Sequence, residues 1–147
     1  MTTKLSFLAL SLAALVGCGT SQDIVATPLA GTVFGQDWTF MTGNTDMFLS
    51  EGEDDFFATF YAESFTPCGS EPFGVPSLIV SIPKTPGDYE MGLQLNMTYT
   101  FMSDNKIATD GRIVVDTVTA TKVTGGLVSE YDGDNSVNGQ FEATICQ

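Results

Sequence analysis

The tightest constraint on this chain is the alternation in the ten residues before its last. From Val137 to Cys146, Val137, Phe141, Ala143 and Ile145 fall on one side, and Asn138, Gln140, Glu142 and Thr144 on the other. Successive residues of an extended chain point to opposite faces, so this is a strand with one face in a core and one in water. Two similar runs precede it, at Gly111–Thr119 and Val123–Tyr131. The links are short: Ala120–Lys122, and then Asp132-Gly133-Asp134-Asn135-Ser136, whose residues tolerate positive φ and permit a tight reversal. The last third is expected to be an antiparallel three-strand meander.

Upstream the same grammar repeats less tidily. Gly31–Phe34 and Trp38–Thr42 flank Gly35-Gln36-Asp37 as a hairpin, and Phe56–Ala62 reads as an aromatic strand after the acidic stretch Glu51–Asp55. Leu78, Val80 and Ile82 alternate until Pro83 and Pro86 end the run. Tyr89, Met91, Leu93 and Leu95 alternate again, and Met97–Met102 follows. Helical periodicity is hard to find. Roughly nine strands between turn signals predict an all-β domain, a single antiparallel β-sandwich or a small β-barrel.

The N-terminus carries an address. Lys4 precedes an uncharged run from Leu5 to Val16, too short for the roughly 20 residues of a spanning helix. It fits the apolar part of an export signal, which has no place in the fold. Leu15-Val16-Gly17-Cys18 closes it and resembles the bacterial lipobox, in which the cysteine takes a diacylglycerol and becomes the mature N-terminus. By that resemblance residues 1–17 are a lipoprotein signal peptide and Cys18 the lipidation site. Residues 18–28 would be a polar tether, and 29–147 the β domain. Several acyl chains, at about 0.8 kcal/mol per buried methylene, make such an anchor effectively permanent. Gly19 stands where an Asp would resemble the signal for inner-membrane retention, so the outer membrane is the expected destination.

Removing the leader leaves 147 − 17 = 130 residues, enough for one sizeable core. Lys4 leaves with it, so 4 basic and 18 acidic side chains remain, a formal charge of −14. Nucleic-acid backbones would be repelled, as would anionic headgroups. With Cys18 lipidated, Cys68 and Cys146 remain in an oxidising compartment, where a pair is expected to form a disulfide closing about 80 residues.

The order of strand and turn motifs is similar to a broad group of β-rich lipoproteins of Gram-negative bacteria. The residues that carry it are Gly31-Thr32-Val33 with Trp38, Pro86-Gly87-Asp88-Tyr89, Gly111-Arg112-Ile113-Val114-Val115-Asp116, Val123-Thr124-Gly125, and Val137-Asn138-Gly139-Gln140-Phe141 ending at Cys146. It spans nearly the whole mature chain and implies fold and location. The group lends no activity and no functional residues.

Chemistry has few footholds. The chain contains no His, which removes Ser-His-Asp, Cys-His and His-metal arrangements. No phosphate loop or dinucleotide fingerprint is present, and no cofactor is expected. A carboxyl pair such as Glu90 and Asp116 could serve a hydrolase, though nothing in the spacing selects it. Asp132, Asp134 and Ser136, with Asn135, resemble the start of a calcium loop. The pattern then fails, because Val137 replaces the expected Gly and Ala143 the closing carboxylate. A hairpin tip explains the same residues without a metal. Glu51, Glu53, Asp54 and Asp55 form a second acidic cluster, read as a solvated loop. The expected role is a non-catalytic envelope module for binding, adhesion or structure, held to the membrane by its lipid and to an unidentified partner. A small-ligand or cation-binding β-barrel is the alternative, and a carboxylate-dependent hydrolase the third reading.

Overall fold

The computed structural model describes residues 22–92 and 95–147; the leader and Cys18 lie outside them. The described chain is all β, with eleven strands and one single-turn helix. The hairpin β1 (Ala30–Val33) and β2 (Gln36–Thr39) comes first, followed by β3 (Thr42–Asp46) and α1 (Met47–Ser50). β4 (Asp55–Tyr61) and β5 (Ser77–Pro83) flank a long loop, and β6 (Gly87–Glu90) follows. A second hairpin, β7 (Met97–Phe101) and β8 (Asp104–Ile107), leads to the expected meander β9 (Asp110–Val118), β10 (Lys122–Asp132) and β11 (Asn135–Thr144).

One curled sheet runs in the order β6-β9-β10-β11-β3-β4-β5-β7-β8, with the β1–β2 hairpin paired to β11. Named neighbours are antiparallel except β3 and β11, which meet in parallel at Asn44 and Thr144. The all-β, antiparallel expectation is met, with this one parallel contact where β11 passes from β1 to β3 along the same edge. The edge strands β6 and β8 are short and carry Asp88, Glu90, Asp104 and Lys106, which discourages further pairing.

The curl brings the two halves of the sheet face to face, an arrangement between an open sandwich and a half-barrel. Tyr99 shows it best. Its ring is fully buried on β7, yet its hydroxyl lies 2.7 Å from the backbone oxygen and 2.9 Å from the hydroxyl of Ser129 on β10. Five steps along the sheet separate these strands. Around this brace pack Phe60, Leu78, Ile82, Ile113 and Leu127, all without exposure. Tyr99→Phe would keep the ring and leave Ser129 with buried, unmatched polar groups. A loss of about 1–3 kcal/mol in denaturant melts is expected. Burial also pushes the Tyr61 and Tyr99 phenols up from their ordinary value. The stability they contribute is complete below about pH 10, the unfolded value, and is lost as pH rises beyond it. A melting series into alkali should show that decline.

Several boundaries differ from the sequence expectation. Trp38–Thr42 is split between β2 and β3, because Phe40 N–H donates to Leu29 O while Met41 N–H donates to Tyr61 O. Those donors serve two different neighbours, so no single strand can contain both. The expected run Tyr89–Leu95 pairs through Glu90, adds one bond from Met91 N–H to Gly111 O, and bends at Gly92. Leu93 lies outside the described residues. β8 and α1 were not anticipated.

The stretch expected as tether is fastened in its later part. Asn138 donates to Asp23 O and accepts from Val25 N–H, each at 3.0 Å. Gln140 donates to Val25 O, and Gln22 to Glu130. Ile24 lies against Gly126, where an added Cβ would come within 2.6 Å of it. Residues 22–28 thus form a strap across the outer face of β10 and β11.

Candidate functional site

Two surfaces stand at opposite ends of β4, a strand whose seven residues span about 20 Å. At its start the chain has just left α1. Asp46 caps this turn by accepting from Leu49 N–H at 2.9 Å, and Ser50 Oγ donates to Asp46 O while accepting from Phe57 N–H. One turn of helix cannot bury a face, and Met47, Phe48 and Leu49 all project outward, Phe48 with 79% of its surface exposed. The acidic stretch that follows is bent back by Lys84, whose ammonium donates to Ser50 O and Glu53 O at 2.6 and 2.7 Å and stands 5.2 Å from the Phe56 ring centre.

This bend forms one wall of a groove of about 880 Å³. Glu53, Asp54 and Asp55 line one side, Asp88, Tyr89 and Glu90 of β6 the other, with Pro83 and Leu95 supplying apolar surface. Smaller concavities containing Met47 and Leu49 adjoin it. Lys84 and Asp88 are already engaged. Asp88 pairs with Arg112 at 2.6 Å, and that hydrogen bond holds its carboxyl below the usual range. Asp55 moves the other way: burial raises its pKa, Asp54 and Glu53 add to the rise, and Lys84 opposes it. A raised carboxyl contributes its stability below the unfolded pKa, near 3.9, and loses it as pH rises. Asp55→Asn should therefore raise the melting temperature at pH 7, with the gain fading below about pH 4. An unchanged melting temperature at pH 7 would show that Asp55 bears no such cost.

At the other end of β4, residues 62–76 form a loop with several fastenings. Cys68 is bonded to Cys146, as the cysteine count predicted. Glu71 accepts from Asn44 and from the Tyr61 hydroxyl, both at 2.9 Å, and Trp38 donates its indole N–H to Pro76 O. Between the last two fastenings sits Phe73, 97% exposed. Beside it Met102, 73% exposed, lies near Gly74 and holds φ +56 at the first position of the β7–β8 turn, where Gly is the usual occupant. Phe34 also holds positive φ, +50, in the β1–β2 turn, and its partly buried ring meets Phe101 at a tilt, ring centres 5.8 Å apart.

The residues singled out earlier are placed as follows. Asp132 and Ser136 end up in β10 and β11, and only Gly133 and Asp134 form the turn. Asp132 Oδ1 accepts from Asp134 N–H and Asn135 Nδ2, so its oxygen closes the hairpin. Among the described residues no three acidic or cysteine side chains gather as metal ligands. Glu90 and Asp116 are not brought together. Glu90 pairs with Arg112, and Asp116 lies four residues farther along β9, about 13 Å of strand away. In the aromatic strand Phe56, Ala58 and Phe60 face the core, and the opposite face, with Phe57 and Tyr61, is covered in part by Ser50 and the 62–76 loop. The acidic cluster 51–55 was visible in sequence, but Lys84, Tyr89 and Leu95 come from distant segments. Phe73 had a legible signal: an aromatic between Pro72 and Gly74 has no strand to place it in a core.

No family model, curated protein or solved structure matches this chain. Among the described residues no helix is long and apolar enough to cross a membrane.

Proposed function

We propose that this protein is an exported lipoprotein, lipidated at Cys18 and held at the outer membrane of a Gram-negative cell, that acts without catalysis as a binding or structural module. The observation that carries the binding role is the run Met47-Phe48-Leu49, exposed at the border of an acidic groove. Adjacent apolar side chains displayed on a capped turn suit an apolar anchor contact, and the surrounding carboxylates favour a partner with basic groups. The groove also has the size of a small-ligand site, which favours ligand binding as the second reading.

The anchor and the binding surface are tested separately. Cys18→Ser should abolish incorporation of labelled fatty acid and release the protein from the membrane fraction. Labelled variant protein would overturn the assignment. For binding, cross-linking in the native envelope should capture a partner with the wild type and lose it with Phe48→Ser. Equal capture by both would remove α1 from the interface. Calorimetric titration with calcium, with no heat and no melting shift at millimolar concentration, would eliminate the cation form of the second reading.

A further inference from the structure

We propose that the rim bearing Phe73 and Met102 rests on the lipid surface to which the chain is tethered, leaving α1 and the groove turned away from it. This rests on lipidation at Cys18, as proposed above.

The position of the strap supplies the argument. Gln22 donates to Glu130, two residues before the end of β10, and the chain then runs inward past Asn138 to Gln140. Followed backwards, it leaves the fold toward the β10–β11 turn. Only three residues lie between Cys18 and Gln22, four steps of chain with a reach of at most about 14 Å. Gln22 itself lies about 7 Å short of the turn. An acyl anchor on Cys18 therefore holds this rim against, or just above, the headgroup layer.

The composition of the rim fits that location. Gly35 N–H donates to Asp134 O, which joins the β1–β2 turn to the β10–β11 turn. Phe34 then packs at a tilt against Phe101, and Met102 adjoins Gly74, so the rim is continuous from the strap to Phe73. The β7–β8 turn places Met102 at positive φ with its side chain largely exposed, and the fastened loop exposes a whole phenyl ring, whereas Phe34 packs partly against the core. Soluble turns gain nothing from such side chains, whereas an interface of apolar and polar layers accepts them. Acidic neighbours, among them Glu130, Asp132 and Asp134, oppose an anionic surface, so zwitterionic lipid is the expected partner.

The full lipidated chain can be reconstituted in zwitterionic vesicles containing brominated lipid, with the emission of the parent's buried Trp38 subtracted as background. Phe73→Trp should be blue-shifted and lose most of its emission, whereas Phe48→Trp, equally apolar but at the far end of β4, should be little quenched. Both positions are exposed, so neither change threatens folding. Equal quenching at the two sites, or none at 73, would overturn the proposal. Adding anionic lipid should weaken quenching at 73, and a strengthening would count against it. Loss of vesicle flotation by the parent would mean that the anchor itself is wrong, a failure distinct from the others. Sedimentation of a vesicle-free soluble form should show a monomer; a dimer dissolved by Phe73→Ser would assign the rim to a second copy and overturn the lipid contact.

Discussion

Gly125→Ala is expected to destabilise the domain by about 4 kcal/mol or more, enough to leave little folded protein at growth temperature. Gly125 sits in β10 between β9 and β11, where the register shifts: Thr124 faces Thr117 but Gly125 faces Val115, leaving Asp116 as the extra residue of a bulge. The bulge draws the two backbones together, so a Cβ at 125 would lie 2.1 Å from Val114 O. A side chain can rotate away from such contact, but a carbonyl in the middle of a sheet cannot. Relief would require β9 and β10, paired at eight positions, to part. Denaturant melts of the soluble domain should show the loss, and a cost below about 1 kcal/mol would mean that the ladder yields. Gly126→Ala is the matched control. Its new Cβ would press on Gln140 and Ile24 side chains, which can move, so damage should be confined to the strap.

The second large effect belongs to the disulfide. Replacing Cys68 and Cys146 together by Ser should cost about 4 to 5 kcal/mol by loop-closure entropy, since the bond spans 78 positions. The variant is nevertheless expected to fold. Glu71 still fastens the loop to Asn44 and Tyr61, and Trp38 still holds Pro76. The loss should then appear in the denatured state, as a lower unfolding midpoint with near-native tryptophan emission. Emission shifted to the red before the midpoint would show instead that the bond organises the loop itself. The single substitutions should behave worse than the pair, because each leaves a free thiol open to intermolecular exchange.

What the sequence made legible follows from how local each determinant is. β9, β10 and β11 were readable because their pattern needs only successive residues of one strand, and Val137, Phe141 and Ala143 indeed face the core. β6 was overextended because Tyr89, Met91 and Leu95 alternate while the bend at Gly92 depends on what the chain meets next. The split at Phe40 was invisible, since it reflects two donors choosing different neighbours. α1 is too short to show a period, although Asp46 ahead of Met47-Phe48-Leu49 is a usable cap signal. The curl that joins Tyr99 to Ser129 has no local trace. For the site, the carboxylates were legible as a cluster but not as a wall, because the opposite wall arrives on β6.

The strap has a mechanical consequence. Under the tether proposed at Cys18, a drag force would enter the fold at Gln22 and the bonds from Asn138 and Gln140. The strap runs largely along β11, so tension toward the anchor shears these bonds together instead of peeling them singly. Beyond them Leu29 N–H is fixed to Gln140 O, and β1 is laced to both β2 and β11. Load is thereby spread into the sheet before it reaches the core, and the strap should yield first while the β domain stays intact.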